Sequence, residues 1–163
     1  EKHGGTVHEF KGDSLLAVWN ASDEAAAASA LAAALDMQRT IQDVLPQHPP
    51  AGLEPLALGI GIEQGPVLIG SIGPAHRRTH TLLGETVTIV LRVQELTAEL
   101  ACPVLIGECA ARHLSDHTLQ SQGSYLLNGL RSPHTLYAPP YVDTAPKSRA
   151  GNPALKVLAG GRS

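Results

Sequence analysis

Aromatic side chains are nearly missing from this sequence: one Phe, one Trp and three Tyr in 163 residues. Single-stranded nucleic acid is held by stacking bases on aromatic faces, so the chain has little to offer such a ligand. An excess of positive charge is missing as well. Twelve Lys and Arg stand against 15 Asp and Glu, a formal net charge of −3, and no field that gathers a polyanion follows from that. Nucleic acid is therefore set aside as a partner. Cysteine is scarce. Cys102 and Cys109 lack metal-ligand spacing and read as reduced thiols rather than a disulfide framework. Long hydrophobic runs are absent. The longest near-apolar stretch, Ala25 to Leu35, is too short and too rich in Ala to cross a bilayer, so no membrane segment is expected. Nothing like a secretory leader opens the chain, which begins at Glu1. It reads as a soluble, cytoplasmic part of a longer multidomain or membrane-tethered protein.

What is present suits one globular domain. Hydrophobic residues make up 43% and charged residues 17% of the chain, enough apolar chain to build a core. After Pro140 the composition shifts to Pro, Gly, Lys and Ser. Residues 1–142 are therefore assigned to the domain and 143–163 to a tail or linker, with a docking turn at Ala154 to Ala159.

Periodicity and turn chemistry predict the elements. Val7 to Lys11 and Leu15 to Trp19 read as strands joined through Gly12-Asp13. Ser22 caps a helix that runs to about Leu45 with Leu31, Ala34, Leu35, Ile41 and Leu45 on its apolar face. Leu56 to Ile62 reads as a strand, with Val67 to Ile72 as its antiparallel partner across Gly65-Pro66. The alternation of Gly59 and Gly61 fits close backbone packing better than a phosphate loop, since no helix or P-loop Lys follows. Thr79 to Leu83 is another strand. A helix from Glu85 to Leu100 carries apolar residues on more than one face, so burial all round is expected. Val104 to Ile106, a short helix at Gly107 to His113, and closing strands at Tyr125 to Leu127 and Leu136 to Tyr137 complete an α+β pattern.

Three segments together resemble one family. They are Gly4-Gly5 through Trp19, Leu58-Gly59-Ile60-Gly61-Ile62-Glu63-Gln64-Gly65-Pro66-Val67 through Gly73, and Leu83-Gly84-Glu85-Thr86-Val87 through Arg92, with Leu126-Leu127-Asn128-Gly129 to Leu136-Tyr137 as a similar close. In this order and spacing they resemble the catalytic domain of class III nucleotide cyclases, over roughly residues 1–140. The resemblance implies a ferredoxin-like, antiparallel-rich sheet with helices on one face. It also implies that the family's first strand lies upstream of this chain, and that exposed strand edges favour a homodimer or a swapped dimer. The implied chemistry is cyclisation of ATP or GTP to a 3′,5′-cyclic nucleotide at a dimer interface, with two Mg²⁺ or Mn²⁺ ions on the nucleotide.

Residue by residue, the resemblance makes Asp13 a metal ligand, with a second aspartate expected upstream. Arg92 becomes the cation for the transition state, and Thr81 a purine-selecting position. Glu9 stands where adenylate cyclases usually carry Lys, and resembles the guanylate cyclase choice. Taken by itself, Glu9 reads equally well as an exposed strand residue, and Thr81 as a β-former. Thr88 stands at the family's asparagine position. Leu130-Arg131 stands where a phosphate-binding Lys is usual, which leaves Arg131 as the candidate. ATP is favoured on the family's habits, with a non-catalytic regulatory or dimerising module as the alternative. Glu9 and Lys11 should share a strand face, and Lys11 is expected to pair with Glu9 or to reach Asp13.

Overall fold

The computed structural model describes residues 2–20, 23–44, 57–74, 76 and 79–140. The cap at Ser22, the helix end at Leu45, the start of the strand expected at Leu56 and the tail 143–163 lie outside the described residues. The elements in chain order are β1 (Thr6–Lys11), β2 (Ser14–Val18), α1 (Asp23–Val44), β3 (Ile60–Ile62), β4 (Leu68–Ile72), β5 (Thr79–Leu83), α2 (Glu85–Glu99), β6 (Val104–Gly107), α3 (Glu108–Arg112), β7 (Gln120–Tyr125) and β8 (His134–Ala138).

A four-stranded sheet in the order β3-β6-β8-β7 forms the centre. β3 runs parallel to β6, and the other pairs are antiparallel. Two hairpins, β1-β2 and β4-β5, form separate two-stranded sheets. The α+β class with antiparallel-rich sheets is as expected. The helices, however, divide between the two faces of the sheet, and strand alternation explains why. Ile62, Val104 and Ile106 point to one side and bury with Ala27, Ala30, Leu31 and Ala34 of α1 and Ala110 of α3. Leu105 and Leu136 point to the other and bury with Ile89, Val93 and Leu96 of α2.

The glycines of β3 belong to this arrangement. A Cβ on Gly61 would lie 2.7 Å from the Val90 carbonyl oxygen and 2.8 Å from the Gln94 amide nitrogen. One on Gly59 would meet Thr97. The bare face of β3 therefore lets the α2 backbone lie directly on the strand, which supports the packing reading of Gly59 and Gly61 over a phosphate loop.

Three expectations about the elements are corrected. β4 pairs with β5, with Ile72 opposite Thr79, and not with β3. Gly65-Pro66 is not a tight hairpin. Its backbone is tied to the start of α2, where Thr86 Oγ1 donates to the Pro66 carbonyl at 3.0 Å, and β3 instead takes β6 as its neighbour. Nor is α2 buried all round. Its buried residues Ile89, Val93, Leu96 and Thr97 lie at helical spacing on one face, and Leu91 is exposed. The final strand pair also begins earlier than expected, at Gln120. That stretch, Gln-Ser-Gln-Gly-Ser, is polar and carries no apolar signal.

A groove of about 350 Å³ opens between β2, α1, β3 and the first turns of α2. Leu16, Trp19, Ile60, Ile62, Val87 and Val90 line its apolar walls.

Candidate functional site

The site residues start from the first hairpin. Lys11 pairs with Ser14, which leaves Gly12-Asp13 as a two-residue loop. Gly12 sits at φ 61°, a conformation that glycine adopts freely, while Asp13 keeps an ordinary φ. Ser14 Oγ closes the turn by donating to the Lys11 carbonyl at 2.8 Å. Asp13 is thus held at the tip, exposed to solvent. Among the described residues no ion pair engages it. A bulge after Val7 sets Glu9 opposite Leu16, and Glu9 is exposed as well.

The expected pairing of Lys11 is not found. No ion pair joins Lys11 to Glu9 or Asp13 among the described residues. At the end of an exposed two-stranded ribbon its ammonium is left to water, where such a pair gains little.

The base of the hairpin is fastened to the core. Trp19 packs against the α1 cluster and donates from Nε1 to the His3 carbonyl at 2.8 Å. Lys2 Nζ and His3 Nε2 both meet Asp36 Oδ2 of α1 at 2.7 Å. The hydrogen bonds from Lys2 and His3 hold the Asp36 carboxyl down at about 2.

The second group of candidates lies on β5 and α2. Thr81 is half-buried on β5, opposite Gly70. Gly84, at φ 145°, joins β5 to α2 and accepts from Val87 N at 3.1 Å and Thr88 N at 3.4 Å. Thr88 and Arg92 follow one turn apart on one helix side, Thr88 exposed and Arg92 half-buried. Arg92 Nη1 donates to both oxygens of Glu95, at 2.7 and 2.8 Å, and that contact raises the guanidinium pKa further. Arg92 Nε is buried and has no hydrogen-bond partner.

Arg131 is exposed in the β7–β8 loop. Leu130 beside it packs against the α2 cluster, so at the position where a phosphate-binding Lys was expected the chain spends its side chain on the core.

The structure therefore gathers the candidates in separate places. Glu9 and Asp13 share one hairpin, Thr81, Thr88 and Arg92 share the β5–α2 unit, and Arg131 stands on a third loop. None of them lines the groove beside β3. As for metal, Asp13 suits a ligand position, being an exposed carboxylate engaged by no cation among the described residues. One carboxylate is not a complete divalent site, and the described residues hold no group of three or more His, Cys, Asp or Glu that could bind an ion.

Sequence reasoning missed two carboxylates. Glu95 was legible as the i+3 neighbour of Arg92. Glu63 was not. Its Oε1 accepts from the Ala110 amide at 3.0 Å and from the Gln64 amide at 2.8 Å, so it caps α3 in place of Gly107, which has no side chain. Burial pushes the Glu63 carboxyl up, against the pull of those two amides.

The sequence model of the adenylate and guanylate cyclase catalytic domain matches residues 3–138. The chain belongs to this family. Among curated relatives, the cyclase domain is 31% identical to an adenylate cyclase of Anabaena cylindrica over 71% of this chain and 23% of that protein. It is 30% identical to adenylate cyclase 1 of Rhizobium meliloti over 66% of this chain and 17% of the relative. It thus spans about a fifth of each. Among solved structures, the guanylyl cyclase Cya2 is 28% identical with a TM-score of 0.68, covering 83% of this chain and 70% of that one. The adenylyl cyclase CyaB from P. aeruginosa shares the fold, with 21% identity and a TM-score of 0.72, over 88% of this chain and 74% of that one. No helix among the described residues is long and apolar enough to cross a membrane.

Proposed function

We propose that the protein carrying this domain forms a 3′,5′-cyclic nucleotide and pyrophosphate from a nucleoside triphosphate, with ATP the favoured substrate, in intracellular signalling. The observation that carries the reading is Asp13: a carboxylate fixed at a hairpin tip, exposed and engaged by no ion pair among the described residues. Bound there with a second carboxylate from outside the described residues, Mg²⁺ or Mn²⁺ would activate the ribose 3′-hydroxyl and neutralise phosphate charge.

The other residues act on the nucleotide. Arg92 meets charge developing on the reacting phosphoryl group, and Thr88 donates a hydroxyl beside it. Glu9 and Thr81 face the purine. Arg131 attracts the polyphosphate. These groups stand on separate elements, so the reading requires two chains, each supplying part of one site. The exposed Leu68, Ile69, Ile72 and Leu83 of β4–β5 and Leu91 of α2 give a homodimer apolar surface to bury.

The test is cyclic-nucleotide formation by the full-length protein with Mn²⁺, given ATP or GTP. Asp13→Asn is expected to abolish it, and no product from either nucleotide ends the reading. A GTP preference would put Glu9 in the purine-selecting role, since a carboxylate accepts from the N–H donors of guanine. A second reading, a cyclase-like module that only binds nucleotide or dimerises, is favoured by Leu130, which is turned into the core. Nucleotide binding without turnover would select it.

A further inference from the structure

We infer that Glu95 is a positioning residue for Arg92, fixing its guanidinium so that the opposite edge meets a phosphoryl group. The inference rests on the cyclase reading above and adds to it a residue to which the family resemblance gave no role.

The geometry on α2 carries it. Arg92 Nη1 reaches both oxygens of Glu95, at 2.7 and 2.8 Å. An arginine on a half-exposed helix face otherwise samples many rotamers, and ordering it at the moment of reaction costs free energy. The i,i+3 carboxylate supplies that order in advance. The way the pair is made also matters. Glu95 occupies Nη1 alone and leaves Nε and Nη2 without a carboxylate partner among the described residues. Together they present a pair of parallel N–H donors, the fork that matches two oxygens of a phosphate. Nε is already buried and without an acceptor. A buried donor left unpaired is unfavourable, and a phosphoryl oxygen that reaches it as the covering atoms move aside would satisfy it. Glu95 itself remains more than half exposed on the helix surface, so its loss should not unfold the domain.

The experiment compares variants of the full-length protein. Glu95→Gln is expected to lower kcat about tenfold or more while KM for the nucleotide moves less than about twofold. Glu99→Gln, an exposed carboxylate one turn further on, should change neither. In an Arg92→Ala background, Glu95→Gln should have no further effect, because Glu95 acts only through Arg92. An unchanged or raised kcat in Glu95→Gln, or the same loss in both backgrounds, overturns the inference. A readout independent of turnover is the ¹⁵Nε–¹H resonance of Arg92, assigned by its disappearance in Arg92→Ala. It should stand apart in the wild type and move to the averaged position of free arginines in Glu95→Gln. Identical resonances in the two proteins overturn the inference. A protein that cyclises neither ATP nor GTP ends the cyclase reading and leaves this measurement to decide the role of Glu95.

Discussion

Replacing Gly61 by Ala tests the contact that fixes α2, and Arg92 with it, on the central sheet. The added Cβ would stand 2.7 Å from the Val90 carbonyl oxygen, 2.8 Å from the Gln94 nitrogen and 3.1 Å from the Gln94 Cα. These are backbone atoms of a helix, so no side-chain rotation can relieve the clash. Ordinary contact distances are roughly 0.7 Å longer, and α2 must retreat by that order. Retreat loosens Ile89, Val93 and Leu96 against Leu105 and Leu136. Overpacking of this kind costs about 1–3 kcal/mol, of which the stiffer unfolded chain returns about 0.5 kcal/mol. The net loss of about 0.5–2.5 kcal/mol corresponds to a melting temperature lower by about 2–10 °C in a domain of this size. The assay is thermal unfolding followed by far-ultraviolet circular dichroism. Gly70→Ala is the control, because a Cβ there meets nothing within 4 Å, and its midpoint should stay level or rise slightly. A Gly61→Ala protein that melts within about 1 °C of the wild type would refute the packing argument.

Other outcomes follow from the titrating groups. Because burial raises the Glu63 carboxyl above its ordinary 4.5, its contribution to stability is complete below 4.5 and is lost as pH rises through the folded value. Chemical denaturation across that range should show a slope that Glu63→Gln flattens, and Glu63→Ala should cost about 1–2 kcal/mol at low pH by uncapping α3. Asp36 has the opposite sign. It is lowered from 3.8 to about 2, so its hold on Lys2 and His3 is intact above 3.8 and lost as pH falls towards 2. Emission from Trp19, which donates to the His3 carbonyl and is the only Trp, should shift in that window, and the shift should be absent in Asp36→Asn.

What could be read in the sequence follows the range of the interactions involved. The Gly12-Asp13 hairpin was legible because a two-residue loop and its flanking strands are decided within a few residues. The long helices were legible from their apolar spacing. The partner of β3 was not. Its three residues, Ile60–Ile62, carry no signal that distinguishes an antiparallel hairpin from a parallel neighbour, and the choice was made by β6, far along the chain. The same limit hid the division of the helices, since only the β3–β6 pairing shows that Gly59 and Gly61 turn to α2 while Ile60 and Ile62 turn to α1.

The candidate site divides along the same line. Asp13, Glu9 and Arg92 were named through the family resemblance, which is carried by segments whose turn, strand or helix their own neighbours specify. Glu63 could not, because its role needs β3 and α3 to meet across the sheet. The pair Arg92–Glu95 lies between these cases. Its spacing is visible in the sequence, but helices carry many such pairs and most contribute little on an exposed surface. What separates this one is the buried, unpaired Nε beside it, a property of packing rather than of spacing. A donor in that state is unfavourable until an acceptor reaches it. On the reading proposed above, that acceptor is a phosphoryl oxygen of the nucleotide.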